Sequence, residues 1–414
     1  MALLAFAWRP AITPIDPPAP SSFAPELVAK GEVLASAGNC ATCHTAAGGP
    51  RYAGGHRLTT PFGTIYSTNI TPDPEHGIGR WSEAAFERAL RDGVARDGSQ
   101  LFPAFPFDHF TKLTDDDIKA LYAYLMTVTP VATSARANTM PFPADIRALQ
   151  AGWKAVFLDK GPYRPDPARS AEWNRGAYLA EGLAHCGACH TRRNVLGAEQ
   201  AGHPYGGDLV EGWIAWPLDV SPSPARWTKD DYFAFLRGGT TVHGRAIGPM
   251  GTVVKNLARL PDSDIQAIAT YFVEFDRATS ASADATAAKA LARSTLPSDL
   301  EDDRGARLYA ERCGSCHENG GATARTARSE LAIASSLWSD WPYNFVRVVL
   351  DGIGGSRDTP GPTMPAFRET LSDIDITDIG NYLRRTRTTQ RAWPVSENWV
   401  SQVRENPLTV PWNR

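Results

Sequence analysis

Apolar and polar residues alternate at helical spacing over much of this chain, and three stretches repeat one order of elements. Each stretch opens on a helix with a basic residue and a glycine: Lys30-Gly31, Arg175-Gly176 and Arg304-Gly305. Each then has a tryptophan that opens a second helix, at Trp81, Trp227 and Trp341. Each ends on a helix with acidic residues in its first turn, where they suit the helix dipole. These are Leu113-Thr-Asp-Asp-Asp-Ile118, Leu260-Pro-Asp-Ser-Asp-Ile265 and Leu371-Ser-Asp-Ile-Asp-Ile376. Behind the second cap, Ile265, Ile268, Ala269 and Phe272 form one apolar face. The third helix of the first repeat is expected over 115–126. A glycine early in each repeat predicts a close crossing of its first and last helices.

Between the repeats the pattern breaks. Val131 to Ala168 is Pro-rich, with a short helix expected over 147–158 that carries Trp153 and Phe157. Ala278 to Ser298 is an Ala/Ser-rich connector, and the tail from Gln390 holds Trp393, Trp399 and Trp412. At the other end, Met1 to Trp8 is apolar but too short to span a bilayer. Ile12 to Pro20 reads as an extended Pro-rich tether. The expected plan is a tether at 1–22, domains at 23–130, 171–277 and 300–389, linkers at 131–170 and 278–299, and a tail at 390–414. The fold class is mainly α, as three tandem domains with long loops.

Composition sharpens this. The 414 residues include 35 glycines and 32 prolines, so long loops are expected. A net charge of −3 argues against nucleic acid as a partner. The six cysteines fall in three pentapeptides: Cys40-Ala-Thr-Cys43-His44, Cys186-Gly-Ala-Cys189-His190 and Cys313-Gly-Ser-Cys316-His317. A structural zinc site needs four ligands, and a redox dithiol has no need of a following histidine. Cys-x-x-Cys-His is the signature of covalent c-type haem attachment, with the histidine as proximal iron ligand. Three covalent haems imply electron transfer and a compartment outside the cytoplasm.

A six-coordinate haem needs a second axial ligand, usually Met or His. Met250 lies 23 residues after Trp227 and Met364 lies 23 after Trp341, each on a loop with an adjacent proline. The same count in the first repeat reaches Ala104-Phe105, and phenylalanine cannot bind iron. His109, four residues on, is the expected replacement, with Met140 as the alternative and Met126 read as core. An open first haem, serving a haem enzyme or a ligand sensor, is the competing reading. His56, His76, His203 and His243 are expected in loops, solvated or hydrogen-bonded, and His185 near a haem edge.

In motif order the chain resembles the tri-haem cytochrome c subunits of bacterial membrane-bound dehydrogenases, which implies that the three tandem, mainly α domains are class I cytochrome c domains with long loops. Pro61 to Pro72, Thr114 to Met126 and the unit around Met250 carry the resemblance. Ala104-Phe-Pro-Phe-Asp-His109 is similar to the partners of molybdenum hydroxylases, of the aldehyde, nicotinate or isoquinoline dehydrogenase type. The start, Ala7 to Ile12, resembles the same group. This implies a large molybdopterin subunit, a small iron–sulfur subunit, delivery to ubiquinone or a terminal oxidase, and a periplasmic place on the inner membrane, with Met1 to Trp8 the remnant of an anchor. Quinoprotein alcohol and flavin sugar dehydrogenases are the alternative partners. The substrate chemistry would belong to the partner.

Overall fold

The computed structural model of the chain describes residues 6–275, 281–292, 303–318, 330–354, 364–394 and 397–406. Trp412 and the flanks of the Ala/Ser-rich connector lie outside them; its centre, Ala281–Ala292, is helical. Helices joined by loops dominate the described residues. The ones used below are α1 (Pro25–Ala37), α2 (Glu83–Asp92), α3 (Asp115–Thr127), α4 (Leu149–Phe157), α5 (Ala171–Tyr178), α6 (Lys229–Gly238), α7 (Pro249–Leu257), α8 (Asp262–Phe275), α9 (Arg304–Tyr309), α10 (Tyr343–Asp351), α11 (Asp373–Arg387) and α12 (Glu397–Glu405). Three antiparallel hairpins complete the described structure: β1 (Arg57–Thr60) with β2 (Gly63–Tyr66), β3 (Asp208–Val210) with β4 (Trp213–Ala215), and β5 (Thr240–Thr241) with β6 (Gly244–Arg245).

The chain falls into two compact bodies. The first runs to Ala188 and takes in Arg193–Ala198 and Asn256–Ile268; the second holds Cys189–Arg192, Glu199–Lys255 and the described residues from Ala269 on. The boundary therefore passes through the second sequence repeat. Its opening helix packs within the first body. Tyr178 of α5 donates to Asp117 of α3 at 2.5 Å, and Lys112 pairs with Glu181 at 2.9 Å.

In the first body α1 crosses α3 at Gly31. A Cβ on Gly31 would lie 1.9 Å from the Ala120 carbonyl oxygen and 2.6 Å from Tyr124 Cβ, so only glycine fits. Beside it, Lys30 Nζ is 2.7 Å from Asp117 Oδ1. Thr114 caps α3 by accepting the Asp117 N–H at 3.3 Å, which fixes where the helix starts. In the second repeat Arg175 grips Asp264 with two hydrogen bonds of 2.8 Å. In the third, which lies in the second body, Arg304 pairs with Asp375 and Asp378, and a Cβ on Gly305 would lie 2.3 Å from the Asp378 carbonyl oxygen. The acidic residue four places after Leu113, Leu260 and Leu371 is thus more than a dipole partner. It ties the last helix of each repeat to the first.

The expected tether is extended but not free. Ile12 N donates to Arg96 O at 2.8 Å, Ile15 N to Arg80 O at 3.1 Å, and Gln100 Nε2 to Ala7 O at 2.6 Å. Among the described residues no helix is long and apolar enough to cross a membrane. The linker helix forms as α4, with Trp153 edge-on to Phe107 at 5.9 Å and close to Phe157.

The described tail tryptophans pack on the second body's own core. Trp393 is buried; its Nε1 donates to Ser339 O at 2.9 Å, and the Arg384 guanidinium lies 4.6 Å from its ring centre. Trp399 on α12 meets Tyr343 edge-on at 5.4 Å. Trp393→Ala should therefore lower the stability of this body by about 3–5 kcal/mol. A thermal melt followed at the α-helical band checks this, and an unchanged midpoint would move Trp393 out of the core.

Candidate haem sites

The first attachment sequence follows α1 directly. Gly38 ends the helix, Asn39 turns the chain with a left-handed φ of 54°, and Cys40–Cys43 forms one helical turn. Asn256 at the end of α7 holds this turn from outside the repeat. Its Nδ2 donates to Asn39 Oδ1 at 2.8 Å and to Thr42 Oγ1 at 3.0 Å. Sequence reasoning missed Asn256, because an asparagine 213 residues beyond Cys43 carries no local signal.

His44 Nδ1 is 2.7 Å from the Thr68 carbonyl oxygen, and His190 Nδ1 is 2.7 Å from that of Trp216. In both, an Nδ1–H donating to a carbonyl leaves Nε2 as the basic nitrogen, the usual orientation of a metal-ligating imidazole. Burial also pushes both rings down in pKa, which favours the neutral form. The backbone repeats as well. The His44 carbonyl accepts from Gly54 N at 2.8 Å and the His190 carbonyl from Gly207 N at 2.7 Å. Both glycines have left-handed φ, 77° and 78°.

Burial and the neighbouring Cys43 push Cys40 up to about 12, and burial with Cys316 pushes Cys313 up to about 11. Protonated thiols are weak ligands and weak nucleophiles. Each pentapeptide supplies the two sulfurs and the histidine that a c-type haem takes, so the residues present fit the group.

Met364 pairs with Ile353 in a short antiparallel bridge of 2.9 and 3.0 Å. Gly352 permits this turn after α10: its φ is 69°, and a Cβ there would lie 2.5 Å from Met364 O. Met250 departs from its expected loop. It is the second residue of α7, since Pro249 presets φ for a helical first turn. In the first repeat Phe105 packs on Phe110 at 5.4 Å, and Phe107 fills the space over Gly93. Met126 is core, as expected, and Met140 lies half-buried beside the β1–β2 hairpin, next to the Thr64–Thr139 bridge.

His109 is buried, 6% exposed, on the single turn Phe107–Phe110. Its Nδ1 is 2.7 Å from the Glu181 carbonyl oxygen, the same orientation that His44 and His190 adopt. Glu181 lies in a turn of π-helix, Leu179–Leu183. There Ala184 N bonds Leu179 O at 2.8 Å and Cys186 N bonds Ala180 O at 2.9 Å, so the wide turn directs the Glu181 carbonyl toward His109. His185, expected near a haem edge, has its ring 6.3 Å from that of His109. Of the loop histidines, His76 bonds Asp73 and His203 bonds Asp219, as expected. His243 is also in a turn, between β5 and β6, with Nε2 3.4 Å from Asp231 Oδ2; it is 4% exposed and stacked on Trp227 at 4.8 Å.

A family model described as "Cytochrome c" matches residues 28–129, and one described as "Cytochrome C oxidase, cbb3-type, subunit III" matches residues 301–383. The fructose dehydrogenase cytochrome subunit of Gluconobacter japonicus is 36% identical over 421 residues, covering 95% of this chain and 86% of that protein. The chain belongs to the cytochrome c subunits of dehydrogenases. This cytochrome subunit is also 34% identical to the alcohol dehydrogenase (quinone) cytochrome c subunit of Gluconobacter oxydans, over 94% of this chain and 84% of that one. It is 46% identical to a nicotinate dehydrogenase subunit of Pseudomonas putida over 412 residues, covering 98% of this chain. The chain spans about a third, 34%, of that relative's length. Members of this family are the cytochrome c electron-transfer subunits of dehydrogenase complexes.

Proposed function

We propose that this cytochrome subunit carries three covalent haems and relays electrons from a periplasmic molybdopterin and iron–sulfur dehydrogenase to ubiquinone or a terminal oxidase at the inner membrane. In this reading the substrate of the complex is an aldehyde or an N-heterocycle. Haem c supplies one-electron redox chemistry when bound. The chain's own residues hold it: Cys40 and Cys43, Cys186 and Cys189, and Cys313 and Cys316 as thioethers, with His44, His190 and His317 as proximal ligands. His109, Met250 and Met364 are the proposed second ligands, on the units 23–130, 171–277 and 300–389 respectively.

The observation that carries the reading is the shared hold on His44 and His190, each with Nδ1 on a carbonyl at 2.7 Å. His109 is held the same way, which supports a filled first site over an open, substrate-binding one. The 46% identity to the nicotinate dehydrogenase subunit, against 34–37% for the sugar and alcohol dehydrogenase subunits, supports the molybdenum branch. A second reading has an observation of its own: the chain covers 86% of the fructose dehydrogenase subunit's length, which favours a flavin or quinoprotein partner.

Gentle purification from the host membranes decides between them. The expected result is three haems per chain and a co-purifying molybdopterin subunit with an iron–sulfur subunit. A flavoprotein or quinoprotein in their place overturns the branch, and carbon monoxide binding to the reduced, isolated subunit overturns the filled first site.

A further inference from the structure

The third attachment sequence differs from the first two in the residue after its histidine. There the first two repeats carry threonines that accept a backbone N–H: Thr45 Oγ1 from Tyr52 N at 3.2 Å and Thr191 Oγ1 from Tyr205 N at 3.0 Å. The third carries Glu318 instead. Arg387, on the last turn of α11, is 2% exposed, and its Nη2 lies 2.5 Å from Glu318 Oε1. The Glu318 side chain is itself 14% exposed. The Arg387 guanidinium also lies 5.9 Å from the ring centre of Tyr309, which sits four residues before Cys313.

A hydrogen bond could have closed this turn, as it does twice elsewhere in the chain. A buried ion pair is a costly way to do the same work, since desolvation offsets much of its attraction. What it adds is charge in a poorly screened place, one peptide bond from a proximal histidine. Charge near an iron centre moves its potential: an anion favours the ferric state and a cation the ferrous state.

We propose that Glu318 and Arg387 form a potential-setting pair for the third haem, with their opposite charges balanced across the His317 end of the attachment turn. This rests on the reading of Cys313, Cys316 and His317 as a haem site. Glu318 and Arg387 are positioning residues and are not ligands. Removing either charge leaves the other uncompensated at the attachment turn, so the two single variants should shift the potential in opposite directions.

The test is a spectroelectrochemical titration of the full three-haem protein. Glu318→Gln should raise the potential of one haem, and Arg387→Gln should lower it. Each shift should be about tenfold in the oxidised-to-reduced ratio at fixed potential, about 59 mV for a one-electron couple. The other two haems should not move. In the double variant the shifts should cancel, whereas packing damage would add. Arg387→Lys should keep the potential near that of the parent protein. If Arg387→Gln does not fold, the rise in Glu318→Gln and the lack of a shift in Arg387→Lys still decide. Shifts of one sign in both single variants, or none, overturn the pair. A peptide spanning 313–317 that carries no haem mass would overturn the haem reading itself, and the two failures are thus separable.

Discussion

Gly31→Val should unfold the helix pair that carries the first attachment turn. The Cβ alone would sit 1.9 Å from the Ala120 carbonyl oxygen, and that contact is with backbone, which cannot rotate away. Core overpacking costs about 1–3 kcal/mol when side chains can adjust. Here α1 and α3 must separate, breaking the Lys30–Asp117 pair and exposing Ile118, Leu121 and Leu125, so about 3 kcal/mol or more is expected. Gly152→Ala is the control. Gly152 lies in α4, where an added methyl would meet no atom within 4 Å, and alanine there should be neutral or stabilise by about 0.5–1 kcal/mol. Thermal melts of both variants, followed at the helical band, provide the comparison. Equal midpoints would remove the close crossing from the account.

Replacing His109 with methionine should change one haem and leave two alone. Methionine keeps a ligand atom but cannot donate to the Glu181 carbonyl, now held at 2.7 Å. A His/His haem that becomes His/Met should rise in potential, as methionine ligation does generally. Its near-infrared ligand-field band should move accordingly. His109→Ala should leave the same haem five-coordinate or water-bound and able to take up carbon monoxide. Unchanged spectra in both variants would exclude His109, and Met140→Ala would then be the variant to examine.

The repeat was legible because its parts are local. Thr114, Thr228 and Ser372 accept the N–H three residues on, and helix starts can be read from such caps. Lys30, Arg175 and Arg304 were visible as a recurring base, and Asp117, Asp264 and Asp375 as a recurring acid. That each base pairs with its acid was not visible, because the partners stand 71 to 89 residues apart. Met250 in a helix, and not on a loop, reflects a competition that Pro249 decides in favour of the helical turn. His243 lies in the turn between β5 and β6, as a loop histidine should; its stacking on Trp227 has no sign in the local sequence, because only the fold brings the two rings together.

By itself the sequence determined the three Cys-x-x-Cys-His motifs, their spacing, and the mainly helical class. These depend on residues within a few positions of each other, where covalent geometry and capping act directly. Only the tertiary structure decided what orients His44, His190 and His109, that Asn256 braces the first attachment turn, and that the second repeat's opening helix packs with the first. Backbone carbonyls do the orienting, and every residue has one, so Thr68, Trp216 and Glu181 are chosen by where the fold brings them and by nothing in their side chains.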